Sequence, residues 1–123
     1  MIKISIVTPT FNEEENIQKL CLGIKVQMEQ LNIDYEHIVI DNSSTDKTID
    51  ILKEICSKDK RVKVIINTKN FGHIKSPFHG ILQSTGDACI LLASDFQDPL
   101  DLIPIYIKKW QNGSKIVLGK KIT

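Results

Sequence analysis

Carboxylate and amide side chains follow the strand-like segments of this sequence. Asp41 and Asn42 come after the second such segment, residues 67–70 after the third, and Asp95 and Gln97 after the fourth. Ligands of a parallel α/β sheet bind beyond the carboxyl ends of its strands, so these groups are expected to meet at one edge. Asp and Asn also mark ordinary turns, but their convergence after three of four strands favours a ligand site.

The sequence has no glycine-rich phosphate loop. Pro9-Thr10-Phe11-Asn12 stands where a dinucleotide fold carries its glycine fingerprint, and GxxxxGK[ST] occurs nowhere. An NAD-dependent enzyme and a P-loop kinase are therefore disfavoured. A diphosphate at this edge needs its charge balanced in another way, and a divalent cation is the obvious means. Asp95 and Gln97 supply the hard oxygen ligands that Mg²⁺ or Mn²⁺ prefers.

Apolar residues alternate between strand-like and helix-like spacing along the chain. Strands are predicted over 2–8, 35–40, 62–66, 88–93 and 115–118, and helices over 13–31, 76–85 and 104–110, with a further helix carrying Ile49, Leu52 and Cys56 on one face. Strands separated by helices pair in parallel through right-handed crossovers. The predicted fold is α/β, a mostly parallel sheet with helices on both faces, forming one domain over 1–123. The fourth strand is the most continuously apolar and is expected at the centre.

Local signals set the expected ends of the helices. The acidic run 13–15 lies where it would complement the dipole of the first helix. Ser43 and Asp46 have the spacing of a capping box for the second helix. Ser76–Pro77 is an N-cap and first-turn pair for the third, and Asn112–Gly113 is expected to end the fourth.

Composition restricts the class of protein. With 123 residues, 41% of them apolar and 25% charged, the chain has room for one ordinary domain, and its net charge of +1 gives no footprint for nucleic acid. Its apolar runs are far shorter than the ~20 residues that span a bilayer, and no signal-peptide cleavage site is evident. A cytoplasmic protein is expected. Cys21, Cys56 and Cys89 fit no metal or disulfide spacing and are expected to be reduced core residues.

Four blocks of sequence carry a family resemblance: residues 5–17 (SIVTPTFNEEENI), 38–48 (IVIDNSSTDKT), 70–73 (NFGH) and 95–99 (DFQDP). Together they make the whole chain resemble the N-terminal half of family 2 glycosyltransferases of the GT-A fold. The last two blocks, with Gly86-Asp87 and with Trp110 followed by Gly113, are similar to the polyprenyl-phosphate glycosyltransferase branch. That branch includes dolichyl-phosphate mannose synthases and bacterial undecaprenyl-phosphate glucosyltransferases.

The resemblance implies a donor site for a UDP-sugar or GDP-sugar. The residues that match the nucleotide-binding positions are Pro9, Thr10, Asn12, Glu14 (or its neighbour Glu13) and Asp41. A carboxylate at Asp41 suits a base N–H or the hydroxyls of the ribose. Asp95 and Gln97 match the residues that bind Mg²⁺ or Mn²⁺ on the donor diphosphate, so the resemblance implies a divalent cation as cofactor.

Some residues depart from the pattern of this branch. The branch usually carries Asp-x-Asp before its Gln-Asp-Pro block, whereas Ala93-Ser94-Asp95 lacks the first carboxylate. Residues 41–43 read Asp-Asn-Ser where Asp-Asp-Gly is common, and residues 74–77 replace the usual small-residue start of a helix. These departures leave the fold expectation intact, but the loss at position 93 removes one expected metal ligand.

The expected reaction is transfer of a sugar from a nucleoside-diphosphate sugar to an acceptor, in this branch a polyprenyl phosphate. The chain is expected to stop before the acceptor half, so that it binds nucleotide weakly and is inactive alone. Two alternatives stay open: a stand-alone or inactive nucleotide-binding module, favoured by Ala93, and a transferase for a polysaccharide. The full-length protein is expected at the inner face of a membrane. An exposed sheet edge or apolar patch would favour a homo-oligomer.

Several other polar residues are weaker candidates. His73, Lys69 and Lys75 lie where they could approach a donor or acceptor phosphate, although surface roles are favoured for them. His37 and His79 are expected to be structural. Asp46 fits a charge at a helix N-terminus better than a ligand.

Overall fold

The computed structural model describes residues 2–70, 72–94, 99–115 and 117, and the side chains of 72–77 are outside this description. The elements in chain order are β1 (Lys3–Thr10), α1 (Ile17–Leu31), β2 (Asp34–Asp41), α2 (Thr48–Lys58), β3 (Val62–Ile66), α3 (Gly72–Gln83), β4 (Ala88–Leu91) and α4 (Leu102–Gln111). The described strands form a parallel sheet in the order β3-β2-β1-β4. The predicted α/β class is confirmed.

The two faces of the sheet are covered by different helices. Because side chains alternate along a strand, Ile4 and Ile6 of β1 point into the larger core, together with Leu20 and Ile24 of α1. Residues of α2 and α4 join the same core, including Leu52, Ile103 and Ile107. Val7, Ile38 and Ile40 form the smaller core on the opposite face, where α3 packs on β1 and β2. The prediction of helices on both faces is confirmed.

The position of the fourth strand differs from the prediction. Within the described sheet β4 pairs with β1 alone and lies at an edge, while β1 and β2 are the inner strands. Leu91 of β4 is 48% exposed. An apolar run shows that a strand is suited to burial, but it carries no information about the order in which strands pair. The predicted central position of 88–93 is therefore wrong for this part of the chain.

Two predicted helix starts are too early. α1 begins at Ile17, so the acidic run 13–15 precedes the helix and lies outside its first turn. α2 begins at Thr48, and the predicted capping box of Ser43 and Asp46 does not form. Both segments are instead used in contacts between loops, which compete with helix formation for the same side chains.

α3 begins earlier than predicted. This helix begins at Gly72, a full turn before the predicted N-cap, and Pro77 lies inside it. The Ser76–Pro77 signal is therefore wrong as a helix start. Pro77 is the sixth residue of this helix, where a proline removes a hydrogen bond to the carbonyl four residues earlier, so its local preference for a helix start is overridden here by the rest of the fold.

The end of α4 agrees with the sequence. Gly113 adopts φ 107°, and the N–H groups of Gly113 and Ser114 donate to the carbonyls of Trp110 and Lys109. These two bonds form the Schellman motif, which favours glycine at the left-handed position. The predicted stop at Asn112–Gly113 is confirmed. The predicted strand 115–118 lies largely outside the described residues.

The cysteines occupy three different environments. Cys21 is buried in the core, Cys56 is half-buried, and Cys89 is exposed on edge strand β4. All three are free thiols. The expectation that all are core residues is therefore wrong for Cys89, whose exposure follows from the edge position of its strand. Among the described helices none is long and apolar enough to cross a membrane.

Candidate functional site

Three strands end together at the carboxyl edge of the sheet. Thr10 of β1 lies beside Asp41 of β2 in the strand register, and Asn42 N–H donates to the Thr10 carbonyl at 2.9 Å. From β3, Asn67 N–H donates to the Asp41 carbonyl at 2.8 Å, and its amide Nδ2 donates to Asn42 Oδ1 at 3.0 Å. The predicted convergence of polar groups at this edge is present for these strands.

The Asp41 carboxylate is completely enclosed, at 0% exposure. Its Oδ2 accepts a hydrogen bond from Ser44 N–H at 2.8 Å, and its Oδ1 accepts one from Ser44 Oγ at 2.5 Å. The turn between them places Ser43 at φ 65°, a left-handed conformation that non-glycine residues rarely adopt. A ligand reaches this carboxylate only by displacing atoms that cover it.

Asn12 joins the loop after β1 to the loop after β2. Its Oδ1 accepts hydrogen bonds from Thr45 N–H at 2.8 Å and from Asp46 N–H at 3.4 Å. Its Nδ2 donates to Thr45 Oγ1 at 3.3 Å, and its backbone N–H donates to Ser44 Oγ at 2.9 Å. Asn12 holds φ 52° to reach these partners. We call residues 11–16 and 42–47 the paired loops.

A second group of hydrogen bonds closes the far end of the paired loops. Glu14 Oε2 accepts from Lys47 N–H at 3.1 Å, while Glu14 N–H donates to Asp46 Oδ2 at 3.3 Å. Glu13 N–H donates to Thr48 Oγ1 at 2.9 Å. Asp46 Oδ1 also accepts from Thr48 N–H at 2.9 Å, which agrees with the structural role expected for Asp46. Each loop therefore satisfies backbone N–H groups of the other.

The predicted nucleotide-binding residues fall into two groups in this structure. Asn12 and Glu14 direct their side chains to the facing loop, whereas Pro9 and Thr10 lie at the end of β1. Thr10 is 2% exposed, and its Oγ1 has no hydrogen-bond partner within the described residues. Buried hydroxyls are almost always paired, so Thr10 Oγ1 is a candidate contact for a ligand at this edge.

The predicted metal ligands Asp95 and Gln97 lie outside the described residues. The chain leading to them is described: Leu92 N–H donates to the Val7 carbonyl at 2.9 Å, and Ser94 is buried. β4 therefore carries the chain to the same carboxyl edge as β1. Among the described residues no group of three or more His, Cys, Asp or Glu side chains could hold a metal ion. The side chains of His73 and Lys75 are likewise outside the description.

The profile of the family described as "Glycosyl transferase family 2" matches residues 5–122. The chain belongs to this family. The match covers all four sequence blocks and every strand but the first residues of β1. The resemblance stated from the sequence is therefore confirmed.

Two relatives of the chain align with almost its whole length. A "Prophage bactoprenol glucosyl transferase homolog" of Escherichia coli is 38% identical over 98% of this chain and 39% of its own length. A "Dolichol-phosphate mannosyltransferase" of Pyrococcus furiosus is 36% identical over 98% of this chain and 33% of its own. This family 2 chain thus spans between a third and two fifths of the length of these relatives.

Solved structures show the same fold. Glucosyl-3-phosphoglycerate synthase from Mycobacterium tuberculosis, in complex with Mn²⁺, UDP-glucose and phosphoglyceric acid, superposes with a TM-score of 0.67 at 24% identity, over 91% of this chain and 40% of that chain. A mannosyltransferase from Pyrobaculum calidifontis, in complex with GDP-mannose and Mn²⁺, superposes with a TM-score of 0.65 at 20% identity. The superposition covers 75% of this chain and 27% of that chain. The family 2 chain therefore has the GT-A architecture expected from its sequence.

The sequence did not predict a buried carboxylate near the amino ends of the strands of this family 2 domain, at the end of the sheet away from Asp41. Glu36 is 1% exposed and accepts hydrogen bonds from Ser5 Oγ, Lys63 Nζ and Thr85 N–H. Burial raises the pKa of Glu36, but these hydrogen bonds outweigh it and lower the pKa to about 2. A lone glutamate inside an apolar strand, at the third position of β2, is the signal that could have indicated this network.

His37 is buried on the other face of the same strand. Its Nε2 lies 2.9 Å from Thr8 Oγ1, and its Nδ1 has no partner within the described residues. Burial lowers the pKa of His37 to about 4, although the charge of Asp59 opposes this change. A neutral, fully enclosed imidazole agrees with the structural role expected from the sequence.

Proposed function

We propose that this chain forms the donor-binding part of a glycosyltransferase that moves a sugar from a nucleoside-diphosphate sugar to a polyprenyl phosphate. The proposal rests on relatives whose names specify bactoprenol and dolichol phosphate as the lipids involved. Since these relatives are more than twice as long, the complete reaction belongs to a protein of their length. A lipid acceptor would bring that protein to a membrane surface.

The observation that carries the proposal is the edge formed by Thr10, Asp41 and Asn67. It combines a buried carboxylate, amide groups and one hydroxyl that lacks a partner within the described residues. Nucleosides present N–H and hydroxyl donors together with carbonyl acceptors, and such groups match this set. The edge also lies at the carboxyl ends of parallel strands, where ligands of this architecture bind.

The sequence that follows β4 supports a divalent cation on the donor diphosphate. Asp95 and Gln97 provide a carboxylate and an amide oxygen directly after the chain leaves β4 beside β1, and both are the hard donors that Mg²⁺ and Mn²⁺ prefer. Ala93 contributes no ligand, so water or Ser94 would complete the coordination. The cation, when bound, stabilises the negative charge that develops on the departing diphosphate.

The chain's own groups orient the donor. The Asp41 carboxylate would accept from a base N–H or a ribose hydroxyl, and Thr10 Oγ1 would bond a neighbouring polar atom of the nucleoside. A lipid phosphate is anionic at neutral pH and needs little assistance from a general base. The described residues therefore serve the binding of the donor, and a group for the acceptor is not required among them.

Titration calorimetry of the 123-residue chain with UDP and with GDP tests the proposal. We expect weak binding that becomes about tenfold tighter when Mn²⁺ is added, which corresponds to about 1.4 kcal/mol. Asp95→Ala should remove the effect of Mn²⁺. Asp34→Ala is the matched control, because Asp34 is an exposed carboxylate at the opposite end of the sheet.

The outcomes separate the parts of the proposal. Absence of binding to either nucleotide would refute the donor site. Binding that ignores Mn²⁺ in both the wild type and Asp95→Ala would refute the metal role alone, and it would favour a nucleotide-binding module, the alternative that Ala93 supports. Transfer of sugar to a lipid phosphate by the isolated chain would show that the acceptor groups lie within it.

A further inference from the structure

We propose that Ser44 is a positioning residue of the donor site, which holds the Asp41 carboxylate in place and couples it to the first of the paired loops. This inference rests on the proposed function. It assigns a role to a residue that the sequence reasoning left out of the site, and it changes the role expected for Asn12.

Ser44 contacts both oxygens of Asp41. The backbone N–H of Ser44 donates to Oδ2 at 2.8 Å, and its hydroxyl donates to Oδ1 at 2.5 Å. Two donors from one residue fix both the position of the carboxylate and the rotation of its plane. Each oxygen keeps acceptor capacity for one more hydrogen bond, so the carboxylate can receive a donor from a ligand once the atoms that enclose it are displaced.

The Ser44 hydroxyl is itself held by the other loop. Asn12 N–H donates to Ser44 Oγ at 2.9 Å, so the serine oxygen accepts from the first loop while its proton goes to Asp41. The hydrogen bonds run from Asn12 to Ser44 and then to Asp41. The bond to Asp41 is part-buried and the bond from Asn12 is exposed, so the chain connects the surface loop to the enclosed carboxylate.

The Asn12 side chain completes the coupling. By binding the N–H groups of Thr45 and Asp46, it fixes the backbone that follows Ser44. Asn12 and Ser43 both hold left-handed conformations, at φ 52° and 65°, and such strain persists only where surrounding contacts determine it. Asn12 therefore acts on the donor through the paired loops, and its side chain is already engaged without a ligand.

The test is a double-mutant cycle on nucleotide affinity, with the calorimetric probes UDP and GDP in the presence of Mn²⁺. Ser44→Ala keeps the backbone donor to Asp41 but removes the hydroxyl, and we expect binding to weaken roughly fivefold, the factor for one net hydrogen bond. In the Asp41→Ala background, Ser44→Ala should weaken binding by less than twofold, because the acceptor through which the Ser44 hydroxyl acts is absent. Ser57→Ala is the matched control, since Ser57 Oγ bonds a helix carbonyl on the exposed side of α2.

Amide exchange of the free protein supplies a readout without ligand. We expect the Asn12 N–H to exchange slowly in the wild type and in Ser57→Ala, and at least tenfold faster in Ser44→Ala. Full additivity of the two substitutions on affinity would overturn the inference, because Ser44 would then act independently of Asp41. Unchanged affinity in a folded Ser44→Ala protein would overturn it as well, while leaving the proposed function intact.

Absence of nucleotide binding by the wild type is a distinct result. It would refute the proposed function, and with it the role of Ser44 in binding. The wild-type titration therefore separates the failure of the donor site from the failure of the positioning role.

Discussion

Lys63 Nζ donates to Glu36 Oε1 at 2.5 Å, and the two side chains lie on neighbouring strands β3 and β2. The lysine is half exposed, whereas the glutamate side chain is 2% exposed. Glu36 Oε2 accepts from Ser5 Oγ and from Thr85 N–H. One carboxylate thus joins β1, β2, β3 and the loop before β4, at the end of the sheet opposite the proposed donor edge.

Glu36→Gln is expected to destabilise the domain by about 3 kcal/mol. The pKa of Glu36 falls from an ordinary 4.5 to about 2, and each unit corresponds to about 1.4 kcal/mol of preference for the ionised form in the fold. Gln also offers an N–H₂ group where Glu36 accepts only hydrogen bonds. Urea unfolding measures the loss. Glu54→Gln removes an exposed ion pair with Lys58 and should change stability by less than about 0.5 kcal/mol; equal losses in the two variants would contradict the prediction.

The free energy of unfolding should decrease between pH 6.5 and 4.5 because of His37. Its pKa is lowered from 6.5 to about 4 in the fold, so the unfolded chain binds more protons in this range. The contribution is complete above pH 6.5 and is lost as the pH falls towards 4, by about 2 to 3 kcal/mol. Glu36, with its pKa lowered from 4.5 to about 2, adds a separate loss below pH 4.5.

His37→Gln is the variant that tests this assignment. Gln keeps a polar group near Thr8 Oγ1 but does not titrate, so the decrease between pH 6.5 and 4.5 should disappear while the loss below pH 4.5 remains. Urea unfolding at half-unit steps of pH measures the free energy of unfolding in both pH ranges. A variant that retains the full decrease would show that another group binds the proton. His79→Gln, at an exposed position of α3, is the control with one histidine fewer.

The sequence was sufficient for the fold class, because apolar periodicity reports directly which elements bury a face, but it did not give the edge position of β4. It also located the edge that we propose as the donor site, since the residues after β1, β2 and β3 must meet in a parallel sheet. It failed at loop ends: the acidic run 13–15 and the pair Ser43 and Asp46 carry helix-start signals, yet the side chains of Glu14 and Asp46 bond the facing loop. Contacts between segments 30 residues apart in sequence leave no local pattern. The buried environment of Glu36 was missed for the same reason.

Asn12 contributes to stability through its left-handed backbone conformation and through its side-chain contacts, and two substitutions separate these contributions. Asn12→Gly removes the side-chain bonds to Thr45 and Asp46 but accepts φ 52° without strain. Asn12→Ala removes the same bonds and places a Cβ in the left-handed region, which costs about 1 kcal/mol more. We therefore expect Ala to be the more destabilising substitution in urea unfolding, which reverses the usual preference for Ala over Gly. Greater stability of Asn12→Ala would indicate that this residue relaxes to a right-handed conformation.

Gly86→Ala should destabilise the domain although Gly86 precedes a short edge strand. A Cβ at this position would lie 2.7 Å from Ser5 N and 2.9 Å from the Lys3 carbonyl oxygen, and backbone atoms of a paired inner strand cannot withdraw without breaking the sheet. The substitution would also separate Gly86 N–H from Ser5 Oγ, which it meets at 2.8 Å. We expect Gly86→Ala to lower the free energy of unfolding by about 2 to 3 kcal/mol. Because Ser5 also binds Glu36, Glu36→Gln should cost less stability in the Gly86→Ala background than in the wild type.

Gly23→Ala provides the comparison, because the added methyl group there meets only the end of the Leu100 side chain. An equal or smaller loss for Gly86→Ala than for Gly23→Ala would show that the loop before β4 can move away from β1.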